Sequence, residues 1–193
     1  MNSIAVFCAS SEGNDKHIVN MAYELGRTLA KQDRMLVYGG SKVGLMGKVA
    51  NGALDNNGKV VGVIPAFLTS KEILHDGVPE MIIVDSMHER KMKMHELSDG
   101  IIALPGGFGT LEELFEVITW GQLGLHQKPM GILNVNGFYN ELLAFLDTMV
   151  ATGLLKIENR NMLLVDDTIS GLLTQMESYQ PAITPKWIKK EHT

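Results

Sequence analysis

Cysteine is close to absent from this sequence. Cys8 is the only one among 193 residues, which rules out an internal disulfide and any metal site built from several thiolates. Positive charge is in deficit as well: a formal net charge of -5 gives no cationic field with which to grip nucleic acid, although a local cationic pocket for a small anion stays compatible with it. No apolar stretch approaches the length of a membrane span. The N-terminal run "IAVFCA" is too short for a signal-peptide core and has no basic lead, and no tandem repeat, low-complexity tract or linker interrupts the chain. These absences lead to the expectation of a cytoplasmic protein without membrane or nucleic-acid partners. One domain is expected over residues 1–179, followed by a tail at 180–193, "QPAITPKWIKKEHT", whose Trp187 is available to pack on the body or on a partner subunit.

What is present is hydrophobic patterning. With 45% apolar residues the chain can bury a full core. Short apolar runs recur as "SIAVFC", "MLVYGG", "KVVGVIP", "EMIIVD", "GIIALPGG", "KPMGILNV" and "NMLLVDD". Amphipathic stretches of helical length lie between most of them, at 15–32, 44–57, 86–98, 110–125 and 138–151. Strands that read as continuous apolar runs, joined by helical crossovers, predict a mainly parallel sheet with helices on both faces, an α/β doubly wound, Rossmann-like fold. Three strand ends run into small or glycine-rich loops, "CASSEGND", "YGGSKVGLMG" and "LPGGFGT". In such sheets ligands bind at the carboxyl ends of the strands, so these loops mark the functional edge.

The third loop carries the most chemistry. Gly106, Gly107 and Gly109 lie between a strand and a helix expected to begin near Thr110, where free N–H groups and the positive end of the helix dipole favour a phosphate. A tight turn with no ligand is the plainer alternative. The loop is not a Walker sequence, since no Lys-Ser or Lys-Thr follows, and it departs from the dinucleotide fingerprint. Thr110 and Glu113 match the T-x-x-E capping box, which would explain Glu113 without any catalysis. On a helical wheel of about 100° per residue, Leu111, Leu114, Phe115 and Ile118 form the expected core stripe. Glu113 falls outside it, between Val117 and Trp120, a setting better suited to chemistry than to solvation.

A cationic partner is available upstream in "DSMHERKMKMHELSDG", read as a helix with Ser86 and Glu89 as a second capping box. Met87, Met94 and Leu97 form one stripe, and Arg90 falls inside it. A planar guanidinium there suits phosphate or carboxylate, whereas Lys93 belongs to an ordinary solvated run. His88 and His95 are spaced too widely for the HExxH zinc pattern and are read as bystanders, so no metal is expected.

With "SMHERK" and "PGGFGTLEE" in hand, the chain resembles the LONELY GUY (LOG) family of cytokinin riboside 5'-monophosphate phosphoribohydrolases, once labelled lysine decarboxylase-like. The resemblance extends through "VYGGSKVGLMG", "VIPAFLTSKEI", "EVITWGQLGLHQKP" and "LNVNGFYN", from Ile4 to about Val165. It implies a Rossmann-like homodimer, without a cofactor, that hydrolyses the N-glycosidic bond of a nucleoside 5'-monophosphate such as isopentenyl-AMP or AMP, releasing free base and ribose 5-phosphate. It also implies that Arg90 and Glu113 are the catalytic pair. Glu72, Lys91, Gly107, Phe108, Gly109, Thr110, Leu111, Glu112 and Thr119, with Arg90 and Glu113 themselves, match substrate-binding positions. Thr119 lies on another side of its helix from Glu113, and Ser10 and Ser41 are placed near the phosphate or ribose by loop position alone. The decarboxylase label finds no support, because no lysine sits where a pyridoxal Schiff base could form.

Two other functions compete with hydrolysis. A non-catalytic nucleotide-binding or carrier protein could use the same glycine loops. A dinucleotide-dependent oxidoreductase should carry the full fingerprint after its first strand, where this chain has "CASSEG". In the hydrolytic reading Glu113 is ionised, with Arg90 and the helix start both favouring its charge.

Overall fold

In a computed structural model, which describes residues 1–69 and 73–181, seven strands form one sheet. They are β1 (Ser3–Phe7), β2 (Met35–Tyr38), β3 (Val60–Pro65), β4 (Glu80–Val84), β5 (Gly100–Ala103), β6 (Met130–Leu133) and β7 (Leu163–Asp166). The order is β4-β3-β2-β1-β5-β6-β7 and every pairing is parallel. The chain starts in the middle, winds out to β4, then returns to β5 on the other side of β1. Parallel neighbours require crossovers, which is why the apolar runs alternate with helices.

The helices are α1 (Lys16–Lys31), α2 (Gly44–Leu54), α3 (Ala66–Thr69), α4 (Met87–Glu96), α5 (Phe108–Gln122), α6 (Asn140–Ala151), α7 (Ile157–Arg160) and α8 (Ile169–Ser178). Alternation along β1 shows how they are divided. Ile4, Val6 and Cys8 pack with Leu25 and Leu29 of α1, Val49 and Ala53 of α2, and Leu172 and Met176 of α8. Ala5 and Phe7 face the other way, toward Met94 of α4 and Val117 of α5. Beyond β5, Leu114 of α5, Ile132 of β6 and Leu146 of α6 form a third cluster. Burial of both sheet faces is the main stabilising term, at about 25 cal/mol per Å² of apolar surface.

Helix α1 is started by Asp15, whose carboxylate accepts from the His17 amide at 2.8 Å. It lies backbone-close to α2 because Gly26 has no side chain: a Cβ there would overlap the Val49 carbonyl oxygen and sit 2.8 Å from the Ala53 nitrogen. This contact fixes the start of α2 beneath the loop that follows β1, where the Leu45 amide donates to the Ala9 carbonyl at 3.1 Å.

The expected helices agree with the observed ones to within three residues at each end. Helices α3, α7 and α8 lie outside the expected set, α8 being the longest of the three. Its signal is visible afterwards in Thr168, whose hydroxyl caps the Gly171 amide at 3.1 Å, and in the buried spacing Leu172, Leu173, Met176. Trp187 and the tail from residue 182 lie outside the described residues. Among the described residues no helix is long and apolar enough to cross a membrane.

Candidate active site

The sheet reverses its winding between β1 and β5, so their carboxyl ends open a crevice. A cleft of about 340 Å³ lies there. Cys8, Ala9, Ser10 and Ser11 line it from the end of β1, Met46 from α2, Met87 and Arg90 from α4, and Gly107, Phe108, Gly109, Thr110 and Glu113 from the start of α5.

At its floor Arg90 Nη1 donates to Glu113 Oε1 at 2.6 Å, and both residues are 8% exposed. Arg90 Nε donates to the Val63 carbonyl at 3.2 Å, near the end of β3. One helix on the same sheet face therefore supplies the cation and its neighbour the anion. Burial raises the Glu113 carboxyl above its ordinary pKa, and the charge and hydrogen bond of Arg90 pull it down without reversing the shift. Arg90 favours the charged form as expected, but desolvation of a carboxyl buried in the cleft lining is the larger effect. Lys91 and Glu112 act on it more weakly. The Cys8 thiol is driven far above its ordinary pKa by burial and then by Glu113, so it stays protonated.

The wheel reading of α5 also needs correcting. Its buried residues are Thr110, Glu113, Leu114, Val117 and Gly121, while Leu111, Phe115 and Ile118 are only partly buried and face the α6 cluster. Hydrophobicity alone rotates the stripe, because two of the sheet-facing positions carry polar side chains. Nor is T-x-x-E a capping box here. Helix α5 starts at Phe108 with Gly107 as its N-cap and no side chain caps it. Thr110 is tucked against Gly106, and Glu113 is turned to Arg90. The Ser86 box does form, in shifted register: Ser86 Oγ accepts from the Glu89 amide at 3.1 Å, and Glu89 accepts from the Asp85 amide at 2.8 Å.

The glycines of the turn differ in what they do. A Cβ at Gly106 would overlap Thr110 Oγ1, so the fold requires that glycine. At Gly107 and Gly109 a Cβ would meet nothing within 4 Å, and neither has a positive φ. Their bareness leaves open space in front of an uncapped helix start. Tyr139 steadies the strand end behind the turn, its hydroxyl donating to the Leu104 carbonyl at 2.7 Å.

Of the residues expected at the site, Ser10, Arg90, Gly107, Phe108, Gly109, Thr110 and Glu113 come together in this cleft. Phe108 is 95% exposed at its mouth. The others lie apart from its lining. Lys91 is held on the α4–α5 seam by Glu112 at 2.6 Å and Glu116 at 3.0 Å. Burial alone would lower its pKa, but these two carboxylates raise it overall. Leu111 faces α6. Thr119 is exposed, its hydroxyl donating to the Phe115 carbonyl at 2.7 Å. Ser41 is buried beyond the lining, accepting from the Val43 amide at 3.2 Å. Glu72 lies outside the described residues. His88 is exposed, while the His95 ring packs on Trp120 and His126. Met46, Met87, Ser11 and the Cys8–Ala9 segment line the cleft although none of them was a candidate site residue; only their place in the loop segments after β1 and β2 and on the α4 stripe hinted at it.

Comparison with known proteins fits this geometry. The family model described as "Possible lysine decarboxylase" matches residues 46–176. A protein of Oryza sativa subsp. japonica named probable cytokinin riboside 5'-monophosphate phosphoribohydrolase LOGL2 is 48% identical over 179 residues, covering 92% of this chain and 73% of its own. Cytokinin riboside 5'-monophosphate phosphoribohydrolase LOG4 of Arabidopsis thaliana is 46% identical over 178 residues, covering 92% and 83%. Among solved structures, the molybdenum cofactor binding protein from Rippkaea orientalis superposes with a TM-score of 0.69 at 25% identity, covering 91% of this chain and 95% of that one. With a family model matched over most of its length and relatives this similar, the chain belongs to the LOG family of cytokinin riboside 5'-monophosphate phosphoribohydrolases.

Proposed function

We propose that this protein hydrolyses the N-glycosidic bond of a nucleoside 5'-monophosphate, AMP or an N6-modified AMP such as isopentenyl-AMP, to free base and ribose 5-phosphate. The observation that carries the proposal is the buried Arg90–Glu113 pair at 2.6 Å, set in one cleft with an uncapped helix start. Residues 1–179 are read as the catalytic domain.

Breaking this bond builds positive charge on the ribose ring, as in other glycosyl transfers. Glu113 supplies the opposing charge and directs a water to the anomeric carbon. The glycosidic electron pair leaves with the base, water provides the new C–O bond and keeps one proton as the anomeric hydroxyl, and its other proton ends on the departing base. Arg90 fixes the carboxylate and offsets negative charge near the phosphate. The backbone amides at Phe108, Gly109 and Thr110 take the 5'-phosphate, so binding energy far from the reacting bond sets geometry at that bond. Only water is needed as co-reactant. Glu72, Lys91, Leu111, Glu112 and Thr119 stay as proposed substrate contacts by resemblance. For Thr119, exposed away from its own cleft, that role requires a contact other than the one through this cleft.

The test is incubation with AMP, isopentenyl-AMP and adenosine, with chromatography for base and a coupled assay for ribose 5-phosphate. Release from the nucleotides is expected, and far less from the nucleoside. A nucleotide bound tightly and recovered intact would instead support the carrier reading, which shares this fold with the Rippkaea protein. Lysine decarboxylation has no support in the site, because no lysine is among the described residues that line the cleft.

An acid limb should appear in the rate. The reactive form is the carboxylate and burial lifts its pKa, so base release is expected to fall off with a midpoint above the ordinary 4.5. A kcat profile flat down to pH 4.5 would contradict an essential ionised Glu113.

A second copy of the chain is the proposed partner. Helix α6 buries only Leu146, while Phe145, Leu154 and Ile157 are 57%, 85% and 50% exposed. Light scattering on the native protein should give the mass of two chains, and a monomer at micromolar concentration would refute this.

A further inference from the structure

Arg90 is held on two edges by the bonds described above. Its third edge faces the backbone at Gly39. Gly39 follows β2, beside β3 in the sheet, and a Cβ built there would overlap Arg90 Nη2, lie 3.1 Å from Arg90 Cζ and 2.8 Å from Met46 Sδ. The backbone at Gly39 does not have a positive φ, in contrast to Gly40 at +75° and Gly44 at +64° in the same loop. Local conformation therefore makes no demand for glycine at 39. The demand comes from the guanidinium, which fills the volume a side chain would take.

We propose that Gly39 is a positioning residue for the hydrolysis: its missing side chain is the seat that lets the Arg90 guanidinium lie flat between the Val63 carbonyl and the Glu113 carboxylate. This deepens the functional reading above and rests on it for its kinetic consequence. The steric part stands on the geometry alone. Arg90 Nε is already bonded to the Val63 carbonyl, and Met46 Sδ lies 2.8 Å from the same built Cβ, so a side chain at 39 has to displace both. A methyl group at 39 therefore forces the fork away from Glu113. Displacements of about 1 Å in such constellations lower rates by about 10².

The experiment is a double-mutant cycle of Gly39→Ala with Arg90→Ala, read in base release from AMP and in Tm. Gly39→Ala alone is expected to lower kcat by about 10²-fold, with KM changed much less, and to lower Tm. In the Arg90→Ala background, where the guanidinium overlap is gone and only the flexible end of Met46 has to shift, its Tm loss should be much smaller. Should Gly39→Ala not fold, the double variant is expected to fold, because removing the guanidinium removes the larger clash and leaves only the flexible Met46 end to move. A parent-like kcat for Gly39→Ala, an equal Tm loss in both backgrounds, or a double variant that also fails to fold would each overturn the proposal. If the parent itself releases no base, the functional reading fails instead, and the Tm cycle still decides whether Gly39 seats Arg90.

Discussion

Glu113→Gln is expected to lower kcat for base release from AMP by about 10² to 10³, the usual effect of deleting one preorganised electrostatic group, while far-UV circular dichroism stays that of the parent. Glutamine keeps the length and planarity of the side chain, and its amide oxygen can still accept from Arg90 Nη1, now 2.6 Å from Glu113 Oε1. What it removes is the charge. The positive ribose of the transition state then meets no anion, and the Arg90 cation beside it is no longer balanced. Both changes act on the transition state more than on the bound nucleotide. KM should consequently stay level or fall, because an unbalanced guanidinium attracts the phosphate dianion. That split separates catalysis from binding: loss of a ground-state contact would raise KM with kcat unchanged. Release of adenine at the parent rate would remove Glu113 from the mechanism altogether.

The parts of this site that could be read from the sequence are those with local signatures. The seven apolar runs became the seven strands, because a parallel sheet covered on both faces needs apolar residues at successive positions. Arg90 was recognisable as a long cation inside an apolar stripe, and Glu113 as a carboxylate flanked by Val117 and Trp120. The misread features share one cause. Thr110 and Glu113 matched a capping pattern because capping and sheet-facing positions overlap in the first turn of a helix, and only tertiary contacts choose between them. The choice here was made by Arg90, 23 residues away, and by the bare Gly106. The ion pairs of Lys91 with Glu112 and Glu116, on the next helix across the seam, were likewise not legible from any local pattern. The Gly39 seat could not be read at all. It depends on a helix from one crossover laying its side chain over the end of a strand from another, and no local pattern encodes that.

The sharpest test of the phosphate site is a substitution expected to help the fold and harm the enzyme. Gly109 is the second residue of α5, has no positive φ, and would carry a methyl group into open space. Glycine in a helix is less favourable than alanine by up to about 1 kcal/mol, so Gly109→Ala should hold or raise Tm. Its neighbour Gly106 would not tolerate the same change, since Thr110 occupies the place of the added atom. If the fold gains nothing from a bare position 109, the remaining reason for it is access of an anion to the main-chain amides. A methyl at that edge should then weaken about one charge-assisted hydrogen bond to the 5'-phosphate, about 1.5–3 kcal/mol, and lower kcat/KM for AMP by about 10- to 100-fold. Adenosine carries no phosphate to be displaced, so its slow turnover should be unaffected. A fall in Tm would show that the helix start needs this glycine for structure. Equal losses on AMP and adenosine would place the phosphate elsewhere than at the head of α5. A rise in Tm together with a loss confined to the nucleotide is the combination that only an anion held by Phe108, Gly109 and Thr110 produces, because packing, propensity and capping all move stability and activity in the same direction.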